Sequence, residues 1–274
     1  MTENNFILKS NNINIYCRTW NKENYSKIAI ICHGIFEHSK RYSELAKFLS
    51  NEGYKVYAYD HPGHGRSEGR KAHIDSFNIF ITTLNDFINH VYSKENKKIT
   101  LIGHSMGGLI SLHYLINYPD YSKIIEKLIF SSPSLSIPLF KPSLLLANTL
   151  LKIIPKVKIP ALIWPHKLTR DKERVSAIKN DPYIKSMGTV SLLAGLVKYM
   201  HLVQSHQIIP LVPTLCLIAG KDSVIVAKKT LEYFSKMPQD KVKIKLYDDS
   251  FHELFHDINR YEVFKDVTFW LNQK

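Results

Sequence analysis

Ile99-Thr-Leu-Ile-Gly103-His104-Ser105-Met106-Gly107-Gly108-Leu109 is the most informative segment of the chain. A short run rich in apolar and β-branched residues leads straight into Gly-x-Ser-x-Gly, and Met106–Tyr118 then takes up helical apolar spacing. A serine in so sharp a strand-to-helix turn adopts a strained backbone that lifts its hydroxyl above the sheet. Small residues two before and two after it keep neighbouring backbone from colliding. The new helix turns its first N–H groups and positive dipole end towards the reacting carbon. The pentapeptide alone is common by chance, but between a strand and a helix it is specific. Ser105 is the expected nucleophile, against the alternative of a tight turn with an incidental serine.

Working outward, strand-like runs at Ile13–Trp20, Ile28–Cys32, Lys55–Tyr59, Ile99–Gly103 and Lys127–Ser131 alternate with helical patterns at Tyr42–Asn51, Asp75–Tyr92 and Met106–Tyr118. The rhythm returns late, with strands expected at Thr214–Ala219 and Lys243–Tyr247 and helices at Ile225–Ser235 and Tyr261–Asn272. Strands separated by helices imply βαβ crossovers and a mainly parallel sheet flanked by helices, an α/β-hydrolase-type α/β class. Between them, 135–209 breaks the pattern. It holds seven prolines if Pro210 at its edge is included, helix-like apolar pieces such as Ser143–Ile154, and no visible strand alternation. It reads as a helical insertion after the sixth strand, over the sheet's C-terminal edge. The organisation expected is a core of 1–134 and 210–274 with a lid of 135–209.

A serine hydroxyl needs a base, and the base needs an acid to orient it. Asp222 follows the strand Thr214–Ala219, and His252 follows the strand Lys243–Tyr247. Both therefore fall on loops at strand C-terminal ends, in the order serine, acid, histidine. Asp248 and Asp249 are rival acids on the histidine's own loop. The oxyanion formed by attack needs preorganised donors; the backbone N–H groups expected are those of Ile35, after the strand Ile28–Cys32, and Met106. Gly34 lets the backbone come close, and His33 beside it reads as a loop-structuring residue.

With these residues in view, three motifs carry a resemblance. His33-Gly-Ile-Phe-Glu37-His38-Ser-Lys-Arg41-Tyr42, Asp60-His-Pro-Gly-His-Gly-Arg-Ser-Glu-Gly69 and the Gly-His-Ser-Met-Gly-Gly elbow at 103–108 resemble the monoacylglycerol lipase and lysophospholipase family of α/β-hydrolases, within the serine aminopeptidase S33-like superfamily. Leu168-Thr-Arg-Asp171 and Asp181-Pro182 are similar to that family's cap motif. The resemblance covers about Asn14 to Asn272 and implies an α/β-hydrolase that splits single-chain lipid esters under a lid. It also makes Glu37 and Arg41 candidates for holding the polar head, with a salt bridge within the loop as the alternative. One departure stands out: three positions after the histidine, where relatives often carry a polar residue, this chain has Phe255.

Composition bounds the remaining classes. The 274 residues, 45% of them hydrophobic, suffice for one large core. The formal charge of +13 invites a nucleic-acid reading, but the lysines are scattered and no aromatics are interleaved with basic clusters. No nucleic acid and no obligate protein partner are expected. A milder reading of the charge is peripheral contact with an anionic membrane surface. Cys17, Cys32 and Cys216 form neither a disulfide framework nor a zinc site and read as buried thiols. No signal peptide, myristoylation site or apolar run of membrane-spanning length is seen, so the expected location is cytoplasmic. His252-Glu253-Leu254-Phe255-His256 spells the H-E-x-x-H zinc motif, but it follows a strand as a loop, where that chemistry needs a helix. No metal or cofactor is expected. The competing functional readings are a thioesterase or another esterase and, further off, a non-catalytic binding protein on the same fold.

Overall fold

The computed structural model describes residues 1–138, 149 and 151–273. Eight strands form one sheet: β1 (Thr2–Ser10), β2 (Ile13–Asn21), β3 (Lys27–Cys32), β4 (Tyr54–Tyr59), β5 (Ile99–His104), β6 (Ile125–Ser131), β9 (Thr214–Ala219) and β10 (Val242–Tyr247). Their spatial order is β1-β2-β4-β3-β5-β6-β9-β10. The first two pairings, β1 with β2 and β2 with β4, are antiparallel and the other five are parallel.

Helices cover both faces, and the strand sequences say why. In β3, Ile28 and Ile30 enter the core on one face while Ala29 and Ile31 enter the core on the other, as the two-residue period of a strand requires. The first face is filled by Phe80, Leu84 and Phe87 of α2 (Asn78–Glu95) and by Leu109 and Ile110 of α3 (Met106–Asn117). The second receives Leu45 and Leu49 of α1 (Ser43–Asn51) with Val263, Phe264 and Val267 of the closing helix (Arg260–Leu271). A strand covered on both faces has no solvent side. β3, from Ile28 to Cys32, accordingly reads as an unbroken apolar run, and β5 is buried along its whole length.

Two details depart from the sequence reading. β1 was not anticipated: it is an edge strand whose side chains stay mostly exposed or half-buried, so its apolar pattern is weak. The expectation of no strand within 135–209 is corrected. β7 (Lys158–Pro160) and β8 (Met187–Thr189) pair antiparallel as a separate two-stranded ribbon. At three residues each they are too short to show alternation. Besides them, the stretch between β6 and β9 carries α4 (Pro165–Leu168), α5 (Lys172–Asn180) and α6 (Val190–Gln204). Asp171 caps α5 by accepting from the Glu173 and Arg174 N–H groups, and Thr189 caps α6. Most of the helix expected at Ser143–Ile154 lies outside the described residues. Among the described residues, no helix is long and apolar enough to cross a membrane.

Among the ties that fasten this segment to the sheet's loops, three lie near the site. His38 Nε2 lies 2.9 Å from Asp181 Oδ2. Arg170 Nε donates to the wholly buried Asp257 at 2.9 Å. The Lys185 N–H donates to the Phe36 carbonyl at 3.1 Å, and the Phe36 ring lies so close over Gly188 that a side chain there would meet Cζ at 2.9 Å.

Candidate active site

Ser105 sits between β5 and α3 with φ 52° and ψ −118°, a conformation that L-residues rarely adopt. The flanking glycines are explained by space. A Cβ on Gly107 would stand 2.0 Å from the Cys32 carbonyl oxygen, and one on Gly103 would stand 2.8 Å from the Gly107 oxygen. Nothing larger fits while α3 begins this close to β3.

The structure brings the three expected residues together. Ser105 Oγ is 2.9 Å from His252 Nε2, and His252 Nδ1 is 2.7 Å from Asp222 Oδ2. The other Asp222 oxygen accepts from the Val224 and Ile225 N–H groups, both at 2.8 Å. Those bonds fix the carboxylate and leave one oxygen for imidazole, which settles the tautomer with the proton on Nδ1 and Nε2 facing the serine. Asp249, the rival acid, is exposed and pairs with Lys221 at 2.6 Å. Burial alone would lower the His252 pKa. The charge and hydrogen bond of Asp222, with Glu253 and Glu37 farther off, raise it above 6.5 instead.

One participant was missed. Ser134, in the loop after β6, places its hydroxyl 3.1 Å from Ser105 Oγ, and its N–H donates to the Ser105 carbonyl. No local motif marks it; its position follows only from the pairing of β5 with β6.

Ile35 and Gly34 line the same cavity as Ser105 and His252. Among the described residues, the Ile35 and Met106 N–H groups make no hydrogen bond, so both expected oxyanion donors are uncommitted. Gly34 is held from behind: its N–H donates to Glu37 Oε1 at 2.6 Å. His33 is wholly buried, with Nε2 accepting the His61 N–H at 2.9 Å and Nδ1 2.7 Å from the Gly34 carbonyl oxygen. Burial and the neighbouring histidines push its pKa well down. It is a neutral brace between two loops.

Glu37 and Arg41 also line this cavity, and they form a loop salt bridge as well. Arg41 Nη1 donates to Glu37 Oε2 at 2.6 Å. The guanidinium also grips Glu253, which sequence reading passed over, with Nη1 to Oε1 at 2.7 Å and Nη2 to Oε2 at 2.5 Å. The H-E-x-x-H run forms turns with no helix, and His256 Nε2 is spent on the Arg41 carbonyl at 3.0 Å. Cys17, Cys32 and Cys216 are buried free thiols within strands.

Polar and apolar space lie side by side here, sharing part of one wall. A cavity of 270 Å³ holds the serine, His252 and the charged groups. Beside it lies one of 550 Å³ lined largely by aliphatic side chains of the inserted segment, and Ile35, Ile163 and Val224 belong to both walls.

This fold, with a strained serine aligned on a histidine–aspartate pair, defines a serine hydrolase of the α/β-hydrolase class. Residues 23–259 match the family model described as serine aminopeptidase, S33, and the chain belongs to that family. It is 30% identical to the monoglyceride lipase homolog of Monkeypox virus, over 97% of each chain. It is 31% identical to the monoacylglycerol lipase of Mycolicibacterium smegmatis, over 89% of this chain and 87% of that one. The crystal structure of Paleococcus ferrophilus monoacylglycerol lipase superposes with a TM-score of 0.83 at 26% identity, covering 94% of this chain and 98% of that one. The chain is a serine hydrolase of carboxylic esters.

Proposed function

We propose that the protein hydrolyses esters of single-chain lipids, monoacylglycerols or lysophospholipids, and releases a fatty acid through an acyl-enzyme on Ser105. Ser105 Oγ attacks the ester carbonyl as its proton passes to His252 Nε2, and Asp222 stabilises the imidazolium. The Ile35 and Met106 N–H groups receive the oxyanion. Collapse breaks the bond to the alcohol, which takes the proton from His252. Water then attacks the acyl-enzyme by the same route. Residues 135–209 act as a lid over a core of 1–134 and 210–274, with Glu37 and Arg41 at the head-group end.

The observation that carries this reading is the placement of Ser105 in a charged cavity that shares a wall, Ile35, Ile163 and Val224, with a 550 Å³ aliphatic one. Burying an acyl chain gains about 0.8 kcal/mol per methylene, so the apolar space rewards a long chain. It gives nothing to the short, polar residues of a typical peptide amine terminus. A panel of monoacylglycerol, lysophosphatidylcholine, acyl-CoA and short nitrophenyl esters tests it. Long-chain glycerol or lysophospholipid esters should give the highest kcat/KM. A panel led by acyl-CoA would replace this reading with a thioesterase. A fluorophosphonate that left Ser105 unlabelled would point to a binding protein.

The inserted segment also presents Ile153, Leu162 and Trp164 to solvent, each more than half exposed, beside the exposed Lys156 and Lys158. Its neighbours Leu151 and Ile154 pack instead against Val190 and Ala194. We infer that the exposed set rests against an anionic lipid surface from which substrate enters.

A further inference from the structure

Glu253 follows the histidine directly, is 3% exposed, and spends both oxygens on one guanidinium. That guanidinium is also held by Glu37, 4% exposed. Two buried carboxylates therefore enclose one cation whose side chain keeps only 11% of its surface exposed, leaving this side of the catalytic cavity with one surplus negative charge. This side is close to the chemistry. A side chain added to Gly34 would lie 2.8 Å from Glu37 Oε1 and 3.3 Å from Ser105 Cβ, so only the width of a glycine separates carboxylate from nucleophile. Three further charged groups line the cavity nearer its mouth. Lys179 and Lys185 are exposed, and Asp181 is committed to His38. Exposed lysines are screened by salt within about 8–10 Å, whereas the buried carboxylates are not.

We propose that Glu253 is a specificity-determining residue: by capping Arg41 it makes the alcohol side of the site net negative, so that within the lipid esters proposed above the enzyme favours those with an uncharged alcohol group over those, lysophospholipids included, with an anionic phosphate beside the ester. Without Glu253, Arg41 and Glu37 would form a neutral pair, and Arg41 would have donors free for a phosphate. Charge complementarity works here by exclusion, since a like charge brought against that side is repelled and loses its water. This inference rests on the ester-hydrolase reading above, and its failure looks different from the failure of that reading. The ester-hydrolase reading falls if no long-chain ester is cleaved; this inference falls if such esters are cleaved without regard to charge.

The probes are two non-hydrolysable ethers with the same alkyl chain, 1-O-alkylglycerol and 1-O-alkylglycerol-3-phosphate. Both are measured as competitive inhibitors of short soluble ester hydrolysis, below their aggregation limits. Wild-type protein should bind the neutral ether at least about tenfold more tightly, at 0.5 M as well as 0.1 M salt, since buried charges escape screening. Glu253→Gln should close that gap by about tenfold or more, chiefly through better binding of the phosphate. Equal inhibition by the two ethers in wild type overturns the proposal, as does a preference that disappears in 0.5 M salt. An unchanged ratio in Glu253→Gln overturns it too. Should Glu253→Gln not fold, Glu37→Gln removes the same surplus charge from the other side of Arg41 and must close the gap in its place.

Discussion

Ser105 keeps its left-handed backbone whatever side chain it carries, because the strand before it and the helix after it are both fully packed. Ser105→Ala therefore removes only the hydroxyl. It should lower kcat by about 10⁴ to 10⁶, and His252→Ala should do the same, without additivity in the double variant. Asp222→Asn should be severely impaired through loss of the imidazole tautomer, while Asp249→Asn, on an exposed surface pair, should stay within a few-fold of wild type. Steady-state kinetics decide; an inactive Asp249→Asn beside an active Asp222→Asn would reverse the assignment. The raised His252 pKa sets a second expectation at this scale. A general base works unprotonated, so kcat/KM should rise with pH along an acid limb above 6.5. Removing a nearby negative charge makes the imidazolium less favourable, so Glu253→Gln should move that limb to lower pH. A pH–rate profile with the limb unmoved, or moved upward, would show that Glu253 does not act on His252 through charge.

At the scale of elements, the tightest constraint is the approach of α3 to β3. Gly107→Ala would drive a methyl into the Cys32 backbone, which cannot yield as the end of a flexible side chain can. The expected loss is on the order of 3 kcal/mol or more, read from a denaturant midpoint; a shift below about 1 kcal/mol would mean that α3 can slide. The exposed apolar face of the inserted segment makes the opposite kind of prediction. Ile153→Glu with Leu162→Glu should abolish binding to anionic vesicles yet spare hydrolysis of a short soluble ester. Wild-type protein that ignores such vesicles at low salt would end the interfacial reading. The same elements show what a sequence reveals. The elbow was legible because a strand, a turn and a helix are all local and each leaves its own spacing. The acid and base were legible because each closes a β-strand at a loop. β1 was not, since an edge strand buries too little to enforce alternation. Ser134 and Glu253 were not, since Ser134 reaches Ser105 across 29 positions and Glu253 reaches Arg41 across 212. Only the assembled sheet makes either pair.

For the molecule as a whole, the chemistry proposed above is carried by protein side chains and water. Activity should survive EDTA with no loss beyond about 20%, an order-of-magnitude allowance for ionic effects on charged surfaces. Stoichiometric zinc by elemental analysis, with activity lost on chelation and restored by the metal, would overturn the serine mechanism. The path of the chain through the sheet has a different consequence. Ser105 and His252 meet across 147 positions, and His252 lies just after the last strand to join the sheet, at its β10 edge. A polypeptide still on the ribosome can therefore complete its elbow and most of its sheet while remaining chemically silent. The power to cleave an ester arrives late, on the loop before the closing helix, so turnover itself reports that the chain has been made and folded at least as far as His252.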